Sequence, residues 1–117
     1  MKRIASLFLL VAGLATPVVA HHSFSMFDMQ KEATIEGTVR EFQWTNPHIF
    51  IELVVDGSGG PQNYTIEGAT PGVLRKQGWK FNSLKPGDKV VVKFHPLKYG
   101  KNGGGLISVT KDGTVLG

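Results

Sequence analysis

The sequence predicts a mostly β fold: a small five-stranded barrel with one short helix between strands 3 and 4. Three observations predict it. Apolar and polar residues alternate at period two from Ala33 onward, as half-buried strands require. Fifteen glycines and six prolines in 117 residues punctuate the chain with turns and argue against a helical bundle. One stretch, opening at Thr70-Pro71, carries helix-start residues followed by helical spacing.

The first strand begins at Ala33. Ile35, Gly37 and Val39 share one face, and Thr34, Glu36, Thr38 and Arg40 the other. Phe42 and Trp44 then fall on the even positions, a change of phase that a bulge near Arg40-Glu41 would absorb. Asn46-Pro47 ends the strand in a turn. The second strand runs from His48 to Asp56, with Ile49, Ile51, Leu53 and Val55 inward. The glycine-rich run from Asp56 to Pro61 is turn material, and the third strand covers Gln62 to Glu67 with Tyr64 and Ile66 inward.

Thr70 can cap a helix and Pro71 suits its first position. Val73, Leu74 and Gln77 follow, Gly78 closes the last turn, and Trp79 and Phe81 are expected to pack beneath. Leu84-Lys85-Pro86-Gly87-Asp88 is a tight turn before the fourth strand, Lys89 to His95, where Val90, Val92 and Phe94 face inward. Gly100 to Gly105 reads as a flexible hairpin loop. The fifth strand, Leu106 to Lys111, carries Ile107 and Val109. Three strands, a helix and two strands is the order of an OB-like barrel, whose long, bent first strand serves both sheets.

The chain divides into a signal peptide at 1–20, an N-terminal arm at 21–32 and the OB-like domain at 33–117. Lys2 and Arg3 form a positive start, Ile4 to Leu14 a short apolar run, and Val18-Val19-Ala20 a small-residue cleavage site. The apolar run is too short to span a bilayer, so the mature protein is expected in the periplasm or secreted, with no stable membrane anchor. Loss of the leader removes two of the 13 basic residues, leaving 11 against nine acidic ones, a balance of +2. The remaining lysines are scattered, so no nucleic-acid partner is expected. The absence of cysteine excludes disulfides, thiolate metal sites, cysteine nucleophiles and lipid anchors on cysteine.

Cleavage after Ala20 would leave His21-His22-Ser23-Phe24 at the chain start. A free α-amine beside an imidazole chelates Cu(II), and copper tops the affinity order among divalent first-row ions. His21 can use amine and ring together and recruit a second ring; alternatively His22 binds through ring, amide and amine. Met26 and Met29 follow, and thioethers are soft ligands that favour Cu(I). The other reading of this segment is an uncoordinated terminus with two exposed histidines. His48, presented by Trp44-Thr45-Asn46-Pro47-His48, is the expected partner ring; His95 is a weaker one, because Lys93 on the same face would repel a cation.

Nothing in the spacing of Glu36, Glu41, Glu52 and Glu67 marks a general acid and base, and no nucleophile or phosphate-loop pattern is present. Phe42, Trp44 and Phe50 make an aromatic set on the non-core face, the face on which OB barrels take ligands. The arm, through Phe24, Met26 and Phe27, is expected to cover it and to carry His21 and His22 toward His48.

The pieces His21-His22-Ser23-Phe24, Phe27-Asp28, Gly37-Thr38-Val39, Trp44-Thr45-Asn46-Pro47-His48, Glu67-Gly68, Gly78-Trp79 and Leu84-Lys85-Pro86-Gly87-Asp88 together resemble a family of small exported bacterial proteins classed as a domain of unknown function. The resemblance covers nearly the whole mature chain. It implies export and a single small β domain, and it lends no catalytic residues.

The expectation that follows is an exported metal-binding protein, for copper, that binds, delivers or buffers rather than catalyses. Its site would draw on His21, His22, His48, Met26 and Met29. The alternative is a metal-free binding module that holds a peptide, glycan or envelope protein on Phe42, Trp44 and Phe50. A copper oxidase built on a histidine brace is a third reading, for which the small body offers no obvious substrate platform.

Overall fold

The computed structural model describes residues 26–117. Its elements are β1 (Ala33–Gln43), β2 (Phe50–Gly57), β3 (Gly60–Glu67), a helix α1 (Pro71–Lys76), β4 (Lys89–Pro96), β5 (Gly103–Lys111) and a short β6 (Thr114–Leu116). The strands lie in the order β3-β2-β1-β4-β5-β6, and a further β3–β5 pairing closes the first five into an OB-like barrel. The signal-peptide segment, His21, His22 and Phe24 lie outside the described residues.

The long first strand serves both sides of the barrel, as expected. Its N-terminal half, from Ala33 to Thr38, pairs with β4, and Thr38 to Gln43 pairs with β2. Between them the register steps from Val39 opposite Leu53 to Glu41 opposite Glu52, leaving Arg40 as the bulged residue. One inserted residue inverts the side-chain phase of everything after it.

That inversion corrects the reading of the aromatic set. Phe42 stands opposite Ile51, which is fully buried, and packs against the core. Its ring is 5.7 Å from Trp44 and 6.1 Å from Trp79, and Trp44 also packs against the core. Phe50, opposite Gln43 and Glu67, lies on the other face. Phe42, Trp44 and Phe50 therefore do not share a non-core surface. The outer side of Trp44 is occupied by the Arg75 guanidinium, 5.7 Å above the ring.

The core is one cluster. Val39, Ile49, Ile51, Leu53, Ile66, Val90, Val92, Phe94 and Val109 come from the strands; Leu74, Trp79 and Leu84 come from the segment between β3 and β4. Thr70 caps α1 by accepting the Val73 amide at 3.3 Å. Its C-terminus closes as a Schellman turn: Gly78, at φ 92°, donates to the Arg75 carbonyl, and Trp79 donates to Leu74. Trp79 is thereby driven under the helix as expected, whereas Phe81 is 69% exposed on the turn that follows.

The expected hairpin loop at Gly100 to Gly105 is also corrected. Gly103, Gly104 and Gly105 are buried and belong to β5, where they pair in parallel with Thr65, Ile66 and Glu67. A Cβ on Gly103 would collide with the Thr65 carbonyl, and one on Gly104 with the His95 carbonyl. The glycines are the seam at which the barrel closes, because only a backbone without side chains approaches two strands this tightly. A bulge then follows: Lys93 faces Ser108 and Phe94 faces Leu106, so Ile107 is the extra residue and Leu106 packs against the core in its place.

Candidate functional site

An apolar cavity of about 300 Å³ lies at the end of the barrel where β2 begins and β3 ends. Phe27 and Met29 line it from the arm, Val73 from the helix and Leu106 from β5, and His48, Glu67 and His95 are the titratable groups at its wall. A larger, open groove of about 550 Å³ lies at the opposite end, among Glu36, Asp56, Lys89 and Asp112; no histidine or methionine lines it.

His48 is held from three sides. The Thr45 hydroxyl donates to its backbone carbonyl at 2.8 Å and closes the loop, whose Asn46–Pro47 peptide is cis. The ladder between the second and third strands continues past their ends, with Gly68 donating to the Ile49 carbonyl and Ile49 to Ala69. The ring Nδ1 lies 2.8 Å from the Gly68 carbonyl. A carbonyl only accepts, so Nδ1 carries the proton and the lone pair of the neutral ring is on Nε2. Gly68 must be glycine here, since a Cβ would lie 2.6 Å from Ile49 Cδ1. The Glu67 carboxylate stands 3.9 Å from Nδ1, outside hydrogen-bond range.

His95 has the same arrangement from a different source. Its Nδ1 lies 2.8 Å from the carbonyl of Lys31, a residue of the arm, which again leaves the lone pair on Nε2. The arm is fixed to the barrel beside it. Phe27 bridges to Leu97, the Asp28 amide donates to the Pro96 carbonyl, and the Lys98 amide donates to Met26. A turn from Asp28 to Lys31 then presents the Lys31 carbonyl: Lys31 donates to the Asp28 carbonyl and the Gln30 amide to the Asp28 carboxylate. Phe27 is 7% exposed, its ring resting on Gly105, where a Cβ would come within 2.8 Å of Cδ2.

The structure brings His48 and Met29 to one cavity and adds His95, which the sequence had ranked below them. The objection to His95 was the charge of Lys93. That ammonium is engaged 2.9 Å from the Glu32 carboxylate, so its charge is paired. Met26 is 42% and Met29 48% exposed, and of the two only Met29 lines the cavity. The arm does not cover Phe42, Trp44 and Phe50; its Phe27 docks beside Gly105 instead. Phe27 and Gly105 are the residues that sequence reasoning missed. The signal for them was there in a large aromatic beside a glycine run, but the pairing is between residues far apart in the chain. Among the described residues no group of three or more His, Asp or Glu side chains is placed to hold a metal ion.

A protein-family model described as a family of unknown function (DUF6152) matches residues 9–107. No curated protein and no solved structure matches the chain.

Proposed function

The chain belongs to this family of unknown function, and from that starting point we propose that it is an exported, periplasmic copper-binding protein. The observation that carries the reading is His48: its Nδ1 is tied to the Gly68 carbonyl at the wall of an apolar cavity that Met29 also lines. Metal-ligating histidines characteristically donate their other ring nitrogen to a carbonyl in this way, which fixes the tautomer and raises the basicity of the ligating atom.

The remaining ligands come from the chain start. Removal of the leader after Ala20 gives His21 a free amine beside its imidazole, and His22 adds a second ring. His21 precedes Met26 by five residues, enough for a reach of about 17 Å in extended chain. Met26 and Met29 are the softer ligands, suited to the reduced ion. The task is binding, delivery or buffering of the ion.

The test is a Cu(II) titration of the exported chain followed by its visible spectrum, with the intact mass fixing the first residue. Binding tighter than ~10 μM, weakened in both His21→Ala and His48→Ala, is the expected result. Weaker binding in the parent, or unchanged binding in both variants, removes the reading.

A second reading is a metal-free module whose ligand, a peptide, glycan or envelope protein, enters the same cavity. The mainly apolar wall of Phe27, Val73 and Leu106 favours it. Titration of metal-free protein with cell-envelope extracts, followed by tryptophan fluorescence, separates the two.

A further inference from the structure

Two imidazoles face one cavity, and both are oriented by backbone carbonyls. We propose that His48 and His95 together form a two-ring half-site for a copper ion, built by the barrel and completed by the arm. This rests on the copper-binding reading of the same cavity and adds to it a ligand and a mechanism of assembly.

The strand registers set the spacing. His95 stands opposite Gly105, and Gly105 opposite Glu67. Two steps of about 4.8 Å put the backbones of His95 and Glu67 about 10 Å apart. The His48 ring lies against the residue after Glu67, at the Gly68 carbonyl. The position between the two histidines is a glycine, so no side chain from the seam fills the gap, and the ring of Phe27 rests on that glycine as an apolar floor. Each histidine keeps its lone pair on Nε2, and neutral imidazole suits copper in both oxidation states. The Glu67 carboxylate near His48 supplies negative charge beside the site without occupying it.

The two rings differ in what holds them. Gly68 belongs to the barrel, so His48 is oriented whether or not the arm is docked. Lys31 belongs to the arm, so His95 is oriented only when the Asp28 to Lys31 turn is in place. An ion bridging both rings therefore binds the docked arm in preference to the free one and stabilises it by mass action.

The experiment uses the exported chain with ¹⁵N-labelled histidines, titrated with Cu(I) under reducing conditions and read by long-range ¹H–¹⁵N correlation of the rings. The expected result is that the Nε2 resonances of both His48 and His95 shift together, and that His95→Gln weakens Cu(I) binding by more than about tenfold. His21→Ala should retain the coupled shift of the two barrel rings. If copper binds and shifts His48 while His95 Nε2 stays in place, the half-site is overturned and the copper reading stands. If no ring responds and no copper binds, both fall. The ring shifts are read on the parent chain, so an unfolded His95→Gln variant would not obscure the outcome.

Discussion

Gly104 lies so close to the backbone carbonyl of His95 that no side chain fits between them. On its other flank it pairs with Ile66 of the third strand. The barrel thus closes through a residue whose only contribution is its lack of a Cβ, and the position that closes it adjoins the histidine at the cavity wall.

Gly104→Ala should destabilise the protein by about 3 kcal/mol or more, because backbone rather than a flexible side chain must move to admit the methyl group. Gly59→Ala is the control: its Cβ would meet nothing within 4 Å, and its cost should stay within about 0.5 kcal/mol. Chemical denaturation of the two variants checks the contrast. Equal stabilities would mean that the seam does not exist.

Phe42 and Phe50 are predicted to behave differently although they stand on adjacent strands. Phe42→Ala removes a ring packed on the core and should cost about 3 kcal/mol; it should also change the emission of Trp44 and Trp79, which the ring approaches. Phe50→Ala, on the outer face, should cost about 1 kcal/mol or less. The reverse order would restore the placement of Phe42 on the non-core face.

Asp88 predicts an acid limb. Its carboxylate accepts the Lys85 amide at 2.8 Å and pairs with Lys111 at 2.8 Å. The Lys111 hydrogen bond, and after it the Lys85 amide, hold its pKa below the ordinary aspartate value against a desolvation cost that acts the other way. A depressed folded value means that the stabilisation is fully present above the unfolded-state pKa and is lost as pH falls through the folded one. Asp88→Asn should therefore lose about 1 kcal/mol near neutrality and converge with the parent on acidification. Unfolding measured from about pH 6 to about pH 2 covers the window; a constant difference across it would exclude this origin.

Phe27→Ala should free the arm. It removes the ring resting on Gly105 and should cost about 2–4 kcal/mol if the arm belongs to the cooperative unit. Amide exchange at Asp28 and Lys98, whose hydrogen bonds tie residues 26–28 to 96–98, should accelerate more than exchange at Val92. Equal acceleration at all three amides would show that the arm has no separate opening.

The barrel was legible because alternation of side chains is a local property. Ile49, Ile51, Leu53, Val90 and Val92 all lie where period two puts them. The bulge at Arg40 was legible too, from the change of phase, but its consequence for Phe42 and Trp44 was not carried through. Gly103 to Gly105 were misread because glycine disfavours a strand in isolation; the requirement for it comes from Thr65 and His95, which are distant in sequence. The same holds for the site. His48 could be read from its loop, whereas the orientation of His95 depends on a carbonyl 64 residues away. No local pattern reports a partner of that kind.

The turn between Gly57 and Gly60 lies at the pole of the barrel remote from the arm and the cavity. With no cysteine anywhere in the chain, Ser58→Cys would introduce a unique thiol there. A dye, spin label or electrode linker attached at that point would leave the amino terminus untouched, which an amino-terminal affinity tag would not. For a protein whose first mature residue is the matter in question, that is the end by which to hold it.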